Sequence, residues 1–141
     1  MDALAHHLFA EACNNAWANH RLLGACAQLT PAEFEAPRTG FFPSIKATLN
    51  HTLTDDWYYI DAIERSLAGR PPNDAFMAFY DPEEPFADCD ALRTAQQASD
   101  RRLIALCEPL DAAALACIVA VPRRAGLTHE PLPRLLAHLF R

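Results

Sequence analysis

Between Pro43 and the Gly69-Arg70-Pro71-Pro72 break, residues 44–68 run without a single glycine or proline. Ile45, Leu49, Leu53, Asp56, Ile60, Ile63 and Leu67 recur there at three- and four-residue steps. That spacing lays one stripe along a helix and has none of the two-residue alternation of a half-buried strand. Two other stretches carry the same period. Residues 2–28 place Leu4, Leu8, Ala12, Asn15, Asn19, Leu22, Cys26 and Leu29 in sequence, and a helix from Asp88 or Asp90 to before Pro109 carries Leu92, Ala95, Ser99, Leu103 and Leu106. Thr30-Pro31-Ala32-Glu33 reads as a capping box opening one short turn of helix. A fourth helix restarts at Pro131 or Pro133 with Leu132, Leu135, Leu136 and Leu139 as its apolar side, and it reaches Arg141 without a C-cap signal.

The connections are long. Residues 73–87 hold two prolines and three phenylalanines and read as an ordered loop whose aromatics fold back over one end of a bundle. The run Cys117–Val121 could be a short strand, broken by Pro122 and Gly126. The expected architecture is a single domain over residues 1–141: an all-α, antiparallel four-helix bundle with long loops and an abruptly ending fourth helix.

Composition removes several functions. Twelve basic against eighteen acidic side chains give a net charge of −6. With only Arg101-Arg102 and Arg123-Arg124 as basic pairs, no nucleic-acid footprint is expected, and no anionic membrane surface as partner. No run is apolar enough to span a membrane, and the opening residues, with Asp2, Glu11 and two histidines, do not read as a signal peptide. A cytoplasmic protein is expected. The five cysteines are scattered with no Cys-x-x-Cys pair, so they read as small core residues.

The chemistry concentrates on the second long helix. At about 100° per residue, Lys46, Asn50, Asp61 and Glu64 form a solvated sector, while Ser44, Ala47, His51, Asp55, Tyr58 and Ala62 form a small and polar flank beside the apolar stripe. Ala47 and Ala62 leave room for a cavity, and His51, Asp55 and Tyr58 offer ligand or proton-transfer groups. The four-residue step sets His51 and Asp55 on neighbouring turns, either as a plain hydrogen-bonded pair or as a metal ligand with its orienting carboxylate. Among the other histidines, His6, His7, His20 and His129 read as solvated, whereas His138 in LLAHLF should face the core or a cavity.

The run SIKATLNHTLTDDWYY, the opening helix with Asn15, Asn19 and His20, and the closing PRLLAHLFR resemble the DinB/YfiT-like superfamily of damage-inducible four-helix-bundle proteins, over essentially the whole chain. The resemblance implies a divalent metal, nickel or zinc, held by one histidine of the second helix and two of the last. His51 matches the first ligand. The other two would follow Arg141, which fits a truncated chain, so an incomplete site is expected here and the metal could be absent. His138, one turn before the first of that pair, is at best an improvised second ligand, with His20 or Asp55 as a third. The resemblance further implies a metal-dependent enzyme of the thiol S-transferase or hydrolase type acting on a small molecule, with a low-molecular-weight thiol as partner and Asp55 and Tyr58 as catalytic candidates. The rival expectation is a non-catalytic helical module. A homodimer is compatible with either.

Overall fold

A computed structural model describes residues 2–141. In chain order the elements are α1 (Ala3–Cys26), α2 (Pro31–Glu35), α3 (Ile45–Leu67), a 3-10 turn (Phe76–Tyr80), α4 (Cys89–Cys107), α5 (Ala112–Leu115), β1 (Ile118–Arg123), β2 (Gly126–Pro131) and α6 (Leu132–Leu139). The helix starts are set by side chains. Asp2 accepts the N–H groups of Leu4 and Ala5, Ser44 accepts that of Ala47, and Asp88 accepts that of Ala91. Both halves of the Thr30–Glu33 capping box are made. Each cap contributes about 1 kcal/mol by satisfying an N–H that the helix itself cannot. After α3, Gly69 turns with φ of 67°, the left-handed conformation that glycine tolerates best.

α1 and α4 pack antiparallel, with α3 against α4 on the same core. Leu53, Ile60 and Ile63 of α3 are completely buried, as are Val119, Val121, Leu132 and Leu136. A smaller cluster of Leu23, Cys26, Phe34, Leu49 and Leu92 holds α2 against the main helices.

A purely all-α bundle is not what forms. β1 and β2 make an antiparallel hairpin, with Ile118 opposite Pro131 and Arg123 opposite Gly126. The β-branched residues of β1 suit a pleated surface, and β1 lies against α3 with its Ala120 N–H bonded to the Ser66 hydroxyl. The hairpin therefore packs beside α3, and α6, of eight residues, follows it directly. Nor does the chain stop inside a helix: Phe140 takes an extended conformation with ψ of 144°.

Three expectations about faces also change. Leu8, Ala12, Asn15, Asn19 and Cys26 form the inner line of α1 as expected, but Leu4 and Leu22 are exposed and the neighbouring Ala5 and Leu23 are buried in their place. Leu67 is exposed at the end of α3. Asn50 is fully buried rather than solvated, because its amide clamps the connection after α3: Nδ2 donates to the Phe86 carbonyl and Oδ1 accepts the Phe86 N–H. That clamp, with Phe76, Phe79 and Tyr80 packed on the core edge, folds the aromatic connection onto α3 as its composition suggests.

Candidate active site

The polar flank of α3 opens into a cleft of about 570 Å³. α3 supplies Ala47, His51, Thr54, Asp55, Tyr58 and Tyr59. Phe41 and Phe42 close it from the loop before α3, and Phe76, Met77 and Tyr80 from the 3-10 turn. Glu83 and Glu84, from the connection after the 3-10 turn, and Arg123 and Arg124, from the hairpin, also line it. Alanine at 47 leaves the floor low, and aromatic rings make most of the walls.

His51 is sandwiched rather than buried. Its ring lies 4.5 Å from that of Phe42 and 6.3 Å from that of Tyr80, and its side chain is 40% exposed. Nε2 sits 3.6 Å from Asp55 Oδ2, too long for a hydrogen bond but within ion-pair range. The other Asp55 oxygen accepts the Tyr80 hydroxyl at 2.5 Å. Burial, then the Asp55 hydrogen bond, pushes the Tyr80 phenol well above its ordinary range, so it stays a proton donor to Asp55. Asp55 thus links the imidazole to a phenol on a separate segment.

Tyr58 has a different task. Its hydroxyl donates to the Pro122 carbonyl, which ties α3 to β1, and its ring forms the back wall near Phe76 and Tyr80. Burial raises its pKa against the opposing charge of Arg123. Arg123 lies over the rings of Tyr58 and Tyr59 and donates to the Tyr59 hydroxyl at 3.2 Å, to Thr128 at 3.3 Å and to Glu130 at 3.3 Å.

The structure brings together His51, Asp55 and Tyr58, and leaves His138 apart. His138 is exposed on α6 with its ring edge-on to Tyr59 at 5.1 Å, and it does not line the cleft. It faces neither core nor cavity because Leu132, Leu135, Leu136 and Leu139 take the buried side of α6. His20 is exposed on α1. A divalent metal on His51 needs at least two more protein donors for a closed or catalytic site. Asp55 is the one donor set close to His51 by an ion-pair distance, and among the described residues no group of three His, Cys, Asp or Glu side chains is arranged to hold a metal. The residues described therefore do not fit the three-ligand site.

Tyr80, Arg123 and Arg124 are cleft residues that sequence reasoning did not single out. The density of aromatics in residues 73–87 was a signal for Tyr80, whereas the arginines were read only as a basic pair too small for nucleic acid. Their position depends on the hairpin, which turns them back toward α3.

Among the described residues no helix is long and apolar enough to cross a membrane. No curated protein matches the chain. The fold is similar to the crystal structure of the mycothiol-dependent maleylpyruvate isomerase, with a TM-score of 0.71 at 15% identity over 99% of this chain and 59% of that one. The chain thus spans well under two thirds of that protein, and at this identity the likeness concerns the fold alone. A sequence model of the DinB family matches residues 5–116, from the first helix through α5, including the entire α3 flank that builds the cleft. By that match, in a helical frame with His51 turned into a cleft of its second long helix, the chain belongs to the DinB family.

Proposed function

We propose that the chain is an enzyme of the thiol-transfer type that acts on a small molecule bound beside His51. The observation that carries this reading is the convergence, in one aromatic-walled cleft, of an imidazole, a carboxylate within 3.6 Å of it and a phenol hydrogen-bonded to that carboxylate. His51 Nε2 takes the proton of a bound thiol as its sulfur attacks an electrophilic carbon of the second substrate; the carbon–sulfur bond forms, the bond from that carbon to its leaving group breaks, and the group departs with the bonding electron pair, as halide where the substrate is an aryl halide. Asp55 stabilises the imidazolium that results, and Tyr80 holds Asp55 in place. Tyr58 shapes the back wall through its tie to Pro122. The aromatic walls offer apolar surface to the body of the bound substrate.

The test is consumption of low-molecular-weight thiols by the full chain in the presence of an aryl halide electrophile, with and without added nickel or zinc. Thiol consumption that falls at least tenfold in His51→Ala and Asp55→Asn supports the reading. Equal rates in the wild type and both variants defeat it. Ester cleavage that needs His51 but no thiol would replace it with the hydrolase alternative.

A further inference from the structure

We propose that the rim of the cleft recognises a zwitterion: Glu83 takes the ammonium group and Arg124 the carboxylate of an amino-acid-like or peptide-like ligand whose apolar body lies against the aromatic wall. The inference rests on the His51 cleft being the ligand site and names the class of molecule that enters it.

Four charged side chains stand on the rim, and two are already engaged. Arg123 is held by Glu130, Thr128 and Tyr59. Glu84 is 4.0 Å from Lys46, which also reaches Glu35 at 3.4 Å. Glu83 and Arg124 make no ion pair with each other or with any other described residue. Their placement is not incidental to the fold. Glu83 follows the 3-10 turn that carries Tyr80, in the connection that Asn50 clamps to α3. Arg124 opens the two-residue loop between the paired Arg123 and Gly126, so the hairpin presents it at its tip.

Uncompensated opposite charges on one cleft select by exclusion as well as attraction. A simple anion gains Arg124 but meets Glu83 and Glu84. A simple cation gains the carboxylates but meets both arginines. A ligand carrying both charges satisfies both sides at once, and Phe42, Phe76 and Tyr58 offer rings for its apolar part.

S-benzyl-L-cysteine serves as the probe, titrated calorimetrically into the full chain against two relatives: N-acetyl-S-benzyl-L-cysteine, which lacks the ammonium, and S-benzylcysteamine, which lacks the carboxylate. Each relative should bind about tenfold more weakly. Arg124→Ala should abolish the preference over S-benzylcysteamine alone, and Glu83→Gln the preference over the acetylated compound alone. Both residues are exposed, so neither change threatens folding. Equal affinity for the three compounds, no binding of S-benzyl-L-cysteine, or discrimination that survives both substitutions would overturn the proposal. The two readings fail separately: lost discrimination with intact His51-dependent thiol consumption removes only the rim, whereas intact discrimination without thiol consumption upholds the rim and removes the transferase.

Discussion

Asp55 and Asp56 are consecutive residues of one helix, yet a step of about 100° sends them into opposite surroundings. Asp55 faces the cleft with its side chain 29% exposed and shares its two oxygens between Tyr80 and His51. Asp56 is 2% exposed and points into the bundle, where Gln96 donates to one oxygen at 2.9 Å and Arg141 to the other at 2.8 Å. Gln96 also donates to Asp100 at 2.9 Å, and Asn19 Nδ2 donates to both oxygens of Asp100 at 3.1 Å. The same side chain is thus a water-accessible working group on one face and a buried strut joining α1, α3 and α4 on the other. Charge alone does not sort the two roles, and burial does.

If the two faces of α3 are separate in this way, truncating the inner one should damage stability most. Ile60 is completely buried, so Ile60→Ala should cost about 2–5 kcal/mol in urea unfolding through lost burial and the cavity left behind. His51→Ala, on the half-open face, should stay within about 1 kcal/mol while abolishing thiol consumption. Comparable unfolding losses for the two variants would collapse the division.

Asn50 lies where the faces meet, and it sharpens the comparison. Asn50→Ala strands the Phe86 N–H and carbonyl, at a cost of about 1–3 kcal/mol. It should also loosen the connection that carries Tyr80 and so weaken ligand binding, which Ile60→Ala need not do. Amide hydrogen exchange across residues 73–87 reads this directly: faster exchange there, with α4 unchanged, is the expected result, and uniform acceleration would mean that Asn50 belongs to the core alone. Tyr80→Phe is milder. It removes one hydrogen bond to Asp55 for about 1 kcal/mol and should lower the rate of thiol transfer while leaving the Phe86 amide protected, because the ring still packs on the core edge.

Much of this was legible in residue spacing. Of the small, polar flank, Ala47, His51, Asp55 and Tyr58 line the cleft, whereas Ser44 does not and Ala62 packs into the core; the ends of the long helices fall where caps, prolines and Gly69 place them. What escaped the pattern depended on contacts far apart in the chain. A buried Asn50 has the periodicity of a solvated residue until its partner, Phe86, is known. Leu4 and Leu22 carry the right chemistry for a core, but packing against α4 chose Ala5 and Leu23, one residue on. The hairpin was visible only as a strand-like run at Cys117–Val121, and its register with β2, which delivers Arg123 and Arg124 to the cleft, is a long-range choice that no local period encodes. His138 sits among leucines, yet four of them fill the inner face of a two-turn helix and leave it outside.

The smallest expected effect is a slope with pH, and it arises on the inner face. Burial raises the pKa of both Asp56 and Asp100, against the opposing help of Arg141 and Gln96 for the first and of Gln96 and Asn19 for the second. A carboxyl whose folded pKa lies above its unfolded value binds more protons in the folded state. Its favourable contribution is therefore full below the ordinary aspartate pKa and is lost as pH rises through the folded value. Arg141 is hydrogen-bonded to Asp56 and acts on Asp100 only from a distance, and Asp100 is 4% exposed. The wild type should accordingly gain stability relative to Asp100→Asn as pH is lowered from 7 toward 4, in paired urea titrations. A wild type that instead loses stability relative to Asp100→Asn over this range would mean that the Asn19 and Gln96 hydrogen bonds outweigh burial, and that this inner aspartate is held as a charge.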